Sequence, residues 1–195
     1  MLMKRLSLLL CSGLMACAST DLPSSGLLGD TSGFKQRGDD LLVEPLSNPD
    51  SLRGYTKVHI ERVLVYLRPE ARERGVTPAQ QRDLAQLFRT ALRTEMGEHF
   101  TLVDDPSVRA DDLLIVRAAI TDAEPGDPAT GGPGNGTIEV EVIDSNSRDR
   151  RAAAISRKSV RKVGDTAEEK EAEAGLLFDQ WARALREWLV GATGS

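Results

Sequence analysis

The sequence predicts an α/β (α+β) fold in two layers: one mixed sheet of about five strands with two helices on one face, in the order β-α-β-β-β-β-α, behind an irregular arm. Three observations carry this. Two segments, starting at Thr77 and Thr166, open with a capping box and continue as a single apolar stripe. Residues 112–122, DLLIVRAAITD, are apolar on both faces, as a strand inside a sheet must be. Residues 137–143, TIEVEVI, alternate apolar and acidic, the pattern of a strand with one face covered.

The elements follow in order. Residues 55–67, YTKVHIERVLVYL, form the first strand; Val58 and Ile60 share one phase, Val63, Val65 and Leu67 the other, so a bulge is expected near Glu61 and Arg62. Thr77 caps the first helix, Pro78 suits its first position and Gln80 closes the box. Leu84, Leu87, Phe88, Ala91, Leu92 and Met96 make its stripe, and Gly97 is expected as the left-handed stop. Residues 100–104, FTLVD, are a short strand ending in a turn at Asp105 and Pro106. The stretch 124–136, EPGDPATGGPGNG, reads as a connecting loop. In the strand after it Ile138, Val140 and Val142 point inward and Glu139 and Glu141 outward. A hairpin with residues 152–163 would set those glutamates near Arg157 and Lys158. The second helix carries Ala174, Leu177, Phe178, Trp181, Leu185, Trp188 and Leu189 on one stripe, with Gly191 expected to end it.

Upstream, residues 1–16 have the form of a secretory signal: Lys4 and Arg5, then a ten-residue apolar run, then the small residue Ala16. As a helix that run is roughly 15 Å long, against about 30 Å of hydrocarbon in a bilayer, so it is too short to span. Leu14, Ala16 and Cys17 resemble the lipobox of bacterial lipoproteins, with Met15 where a small residue is usual. The resemblance implies cleavage between Ala16 and Cys17 and acylation of Cys17, enough for stable anchoring. Ala18 and Ser19 follow with no aspartate next to the cysteine, which in lipoproteins of Gram-negative bacteria goes with the outer membrane. Residues 17–24 then read as the lipidated cysteine and a tether, 25–54 as an irregular arm laid on the domain, and 55–191 as the α/β domain. The arm is rich in Gly, Ser, Pro and Asp, yet holds Leu27, Leu28, Phe34, Leu41 and Leu42, which would otherwise face water.

Charge and cysteine content narrow the function. The formal net charge is −5 over 195 residues, and loss of Lys4 and Arg5 takes it to −7, against a nucleic-acid partner. Both cysteines, Cys11 and Cys17, precede residue 18, so the domain has no disulfide and no thiolate metal site.

The whole mature chain resembles the bacterial lipoprotein family known as domain of unknown function 3313 (DUF3313). The resemblance rests on residues 25–30, SGLLGD, with Ser32 and Phe34; on LRGYTKVHIERVLVYL at 52–67; and on QLFRTAL at 86–92. FTLVDDP and LIVRAAITDAEP at 114–125 complete it. Where members often place a tyrosine after the aspartate, this chain has Thr31. Membership implies an envelope lipoprotein and supplies no reaction, cofactor or catalytic residue.

The chemically able residues have structural readings. His59 and His99, the only histidines, lie on a strand and at a helix end, read as solvent-facing or edge positions; metal binding would need more converging ligands. Asp104–Asp105 and Asp111–Asp112 flank strands at turns, where aspartate bonds backbone amides. Residues 131–136, GGPGNG, lack the Gly-Lys-Ser/Thr ending of a phosphate loop. Trp181 and Trp188 belong to the core stripe, unless one indole is left exposed at a partner groove. No metal, cofactor or catalytic residue is assigned. The expectation is a non-enzymatic, lipid-anchored interaction or assembly module facing the periplasm, held to the membrane by its lipid, with an envelope protein as partner. The alternative is an envelope-acting enzyme or small-ligand binder with a pocket between arm and sheet. A concave site joining His59 or His99 to a carboxylate would favour the enzyme.

Overall fold

The computed structural model describes residues 25–38, 40–46, 48–67, 76–124, 134–160 and 166–194. The expected signal, Cys17 and the expected tether lie outside these residues, as do 125–133 of the expected loop. The described residues form ten regular elements and a short 3₁₀ turn, Pro49–Leu52. They are β1 (Lys35–Gln36), β2 (Leu41–Val43), β3 (Lys57–Ile60), β4 (Leu64–Val65), α1 (Pro78–Gly97), β5 (Thr101–Leu102), β6 (Leu113–Glu124), β7 (Gly134–Asp144), β8 (Arg150–Val160) and α2 (Ala167–Thr193).

All eight described strands join one mixed sheet, ordered β1-β2-β8-β7-β6-β3-β5, with β4 pairing β6 beyond the end of β3. β3, β4 and β5 run parallel to their neighbours, and the hairpin partners β6, β7 and β8 run antiparallel. The α+β class and the two helices on one face match the sequence. The strand count rises from about five to eight. The arm adds β1 and β2, and the first strand divides into β3 and β4 at the expected irregularity after Ile60.

Helix α1 starts as its capping box dictates. Gln80 N–H donates to Thr77 Oγ1 at 3.2 Å and Thr77 N–H donates to Gln80 Oε1 at 2.8 Å. The same exchange opens α2 between Thr166 and Glu169. Both expected stops are corrected. α1 runs through Gly97, which has no positive φ, to a right-handed cap at Glu98. α2 continues past Gly191 to Gly194, whose φ of 73° makes the left-handed cap.

Under the helices, Val58, Ile60, Leu114, Val116, Ile120, Val140 and Val142 form the sheet side of the core. Phe88 of α1 stacks on Phe178 of α2 with ring centres 4.9 Å apart. β6 lies between β3 and β7, as its two apolar faces require, and Leu113, Ile115 and Ala119 are buried on the face away from the helices.

That second face overturns one expectation. Glu139 and Glu141 do point away from the helices, but both are buried, and neither sits opposite Arg157 or Lys158. Their cross-strand neighbours are Ile155 and Ala153, while Arg157 and Lys158 face Thr137 and Gly136. The arm covers this side: Leu28 is buried against Ala153 and Ile155, with Leu27, Phe34 and Leu42 around it. Glu139 accepts hydrogen bonds from Ser25 N–H at 2.7 Å and Ser25 Oγ at 2.6 Å, and Glu141 accepts from Arg117 at 2.6 Å. The predicted loop also shortens, because Glu124 belongs to β6 and Gly134–Gly136 to β7.

Candidate functional site

Two concave regions stand out among the described residues. The first is an apolar cleft of about 350 Å³ on the helix side of the sheet. Its roof is α2, through Trp181, Ala184, Leu185 and Trp188; its floor is β7, β8 and β2; Phe88 and Leu92 of α1 close its inner end. The cause lies in the width of the layers. Seven strands abreast at ~4.8 Å spacing make a sheet about 29 Å wide. Two helices at about 10 Å each cover only about 20 Å of it. The helix layer reaches β8 through Trp181 and leaves β2 and β1 beyond it as the uncovered wing.

Side-chain size deepens the hollow. Residues 152, 154, 156 and 158 of β8 share the helix-facing side, and the first three are Ala, Ala and Ser. The register sets Leu41 of β2 beside Ser156 and Val43 beside Ala154, so the arm supplies the cleft's outer wall. Trp181 is buried and its Nε1–H donates to Ser156 Oγ at 3.0 Å, which satisfies the most deeply placed polar pair. Trp188 is half-buried at the opening, and the chain's only two tryptophans therefore both line this cleft. The charged groups in the lining are Asp40 and Lys158.

The second region, about 400 Å³, lies beside the end of β3 and is polar: His59, Glu61, Arg62, Arg89, Asp104 and Arg117 line it. It does bring His59 together with two carboxylates. Each of those groups nonetheless already holds a partner. His59 is buried rather than solvent-facing, and its Nδ1 lies 2.7 Å from the Val103 carbonyl oxygen. A carbonyl only accepts, so Nδ1 carries the proton. Glu61 pairs with Arg117 at 3.3 Å and Arg148 at 3.8 Å, and Asp104 with Arg93 at 2.5 Å. The Arg93 hydrogen bond and charge hold Asp104 below the usual carboxylate range. No hydroxyl or thiol lines this region among the described residues.

The other residues weighed from sequence serve the fold. The exposed His99 takes a hydrogen bond at 3.1 Å from Arg186, which also binds Glu95 and Glu98 at 3.0 Å and so clasps α2 to α1. Asp105 receives Ser107 N–H at 2.8 Å, Asp111 receives Asn146 Nδ2 at 2.7 Å, and Asp112 receives Thr56 Oγ1 at 2.7 Å. The hydrogen bonds from Thr56 and Lys57 lower the Asp112 pKa. Among the described residues no group of three or more His, Cys, Asp or Glu is placed to hold a metal ion. No described helix is long and apolar enough to cross a membrane. Sequence reasoning named Trp181, Trp188 and, as an arm residue, Leu41, but missed Val43, Ala154 and Ala184. The small-residue run at 152–154 was the available signal.

A family model described as a protein of unknown function, DUF3313, matches residues 23–185. No curated protein matches the chain. Among solved structures, the hypothetical protein CT253 from Chlamydia trachomatis superposes with a TM-score of 0.50 at 12% identity, over 72% of this chain and 99% of that one. A PelC dodecamer from Paraburkholderia phytofirmans gives 0.46 at 11% identity, over 74% and 97%. A minor lipoprotein from Acinetobacter baumannii gives 0.35 at 13%, over 70% and 94%. At 12% identity the likeness to CT253 is one of fold alone.

Proposed function

The chain belongs to the DUF3313 family, proteins of unknown function, and on that premise we propose that it is a lipid-anchored envelope protein that works by binding rather than by catalysis, with the apolar cleft as its binding site. The observation that carries this is the cleft itself: a concave apolar site, of the size class that takes ligands, walled by arm, sheet and α2. The signal-like residues 1–16 and the lipobox ending at Cys17 support the anchor, and Ala18–Ser19 support the outer membrane with the domain facing the periplasm. The His59 region has the concave histidine–carboxylate arrangement that favours an enzyme, but its carboxylates hold arginines and its histidine Nδ1 holds a carbonyl, which supports binding over catalysis.

Metabolic labelling tests the anchor. Cys17→Ser is expected to abolish palmitate incorporation and leave the signal uncut, whereas normal labelling of that variant would refute it. A photo-crosslinking amino acid at position 184, on the cleft roof, tests the site in intact cells. One reproducible adduct is expected, and the same adduct from position 93, far round on α1, would argue against the cleft.

A further inference from the structure

The chemistry of the cleft narrows what it takes, on the reading that this cleft is the binding site. We infer that the cleft accepts one alkyl chain of a phospholipid-type amphiphile, whose ammonium and phosphate lie at Asp40 and Lys158. The walls are Phe, Leu, Ile, Val, Ala and Trp side chains, and the Trp181 indole N–H is already given to Ser156. A polar ligand buried there would leave groups without partners, at about 1–3 kcal/mol each. An alkyl chain makes no such demand.

The two charges in the lining have opposite signs, Asp40 exposed and Lys158 partly so. A zwitterionic head matches that pair, whereas a fatty acid satisfies only the lysine. A protein anchored by its own lipid also works where such amphiphiles are abundant.

The two tryptophans make the test direct. The full-length protein is placed on vesicles of phosphatidylcholine, and lysophosphatidylethanolamine brominated in its acyl chain is added, since bromine quenches indole emission on contact. The wild type is expected to lose most of its tryptophan emission. Ala184→Leu, an addition on the exposed surface of α2, and the double change Ala154→Leu with Ala184→Leu fill the cleft on an unchanged anchor. Both should keep their emission. Lys158→Gln should weaken the response by about three- to tenfold, ~0.7–1.4 kcal/mol. Glycerophosphoethanolamine, the head without the chain, should compete poorly. Brominated phosphatidylethanolamine built into the vesicles separates the sources: quenching by it assigns the chain to the bilayer, and quenching only by the added lysolipid assigns it to free amphiphile. Equal quenching in wild type and filled variants, or none in either, overturns the proposal. Failure of the protein to float with the vesicles counts against the anchor alone, because the added lysolipid still reports on the cleft.

Discussion

At Gly136 on β7, a Cβ would lie 2.8 Å from the Trp181 ring and 3.6 Å from Leu177. The indole fills the place of the missing side chain, so Gly136→Ala must push a buried ring held by Ser156. Overpacking of this kind costs about 1–3 kcal/mol, and thermal or urea unfolding should show a loss in that range. Asp144 makes a second prediction. Burial raises its pKa, but the Tyr55 hydroxyl and the amides of Ser147 and Asn146, at 2.7 and 2.9 Å, outweigh burial and hold it below the usual value. A depressed carboxylate contributes stability above its unfolded pKa of about 3.9, and the contribution is lost as pH falls through the folded value. Melting curves of Asp144→Asn should therefore show less acid-dependent destabilisation below pH ~4 than the wild type. Glu141 runs the other way: burial raises it, and Arg117 only partly opposes this. Its contribution falls as pH rises from about 4.3 through the raised value, so Glu141→Gln should recover relative to wild type over that interval.

The element most in need of its neighbours is the arm. Its strands hold two and three residues, and its contact with the sheet rests on the β2–β8 pairing, Leu28, the Ser25–Glu139 hydrogen bonds and Arg150, which donates to the Leu28 carbonyl at 2.6 Å. Leu28→Ala removes a fully buried side chain, a change that costs about 2–5 kcal/mol in a core. In a satellite cluster near the end of the fold the loss should appear as local opening. Hydrogen exchange should quicken at Glu44 N–H, which bonds the Ala153 carbonyl, with little change at the α1 amides. Protection unchanged at Glu44 would mean the arm is held by its polar contacts instead. The same contrast explains what the sequence made legible. The helices were readable because Thr77 with Gln80 and Thr166 with Glu169 are local signals, and β6 and β7 because their periodicity is long. Strands of two or three residues have no periodicity to read. Alternation told which way Glu139 and Glu141 point, but not that a segment more than a hundred residues away covers them.

For the whole molecule, the sheet is wider than the helix layer, and no local pattern records this difference between layers. The cleft was invisible in the sequence for that reason, although the residues around it were not. Both faces of the sheet also have separate uses: the helix face carries the cleft, and the opposite face holds Ser25, the start of the described chain. Seven residues lie between Cys17 and Ser25, eight steps along the chain, so with Cys17 acylated the reach from lipid to Ser25 is at most about 29 Å, whatever path those residues take. Helix α2 is itself about 40 Å long, so on that proposal the reach is short compared with the domain. The arm side should on average lie nearer the bilayer than the outer surface of α2. On the proposal that the Cys17 sulfur carries lipid, an introduced cysteine is the free thiol, so spin labels at Ser32→Cys on the arm and Gln180→Cys on α2 can be compared one at a time. With a paramagnetic relaxing agent fixed to lipid headgroups, the label at 32 should relax faster than the one at 180. The reverse order would place the helix face against the membrane and put the mouth of the cleft in direct reach of its lipids.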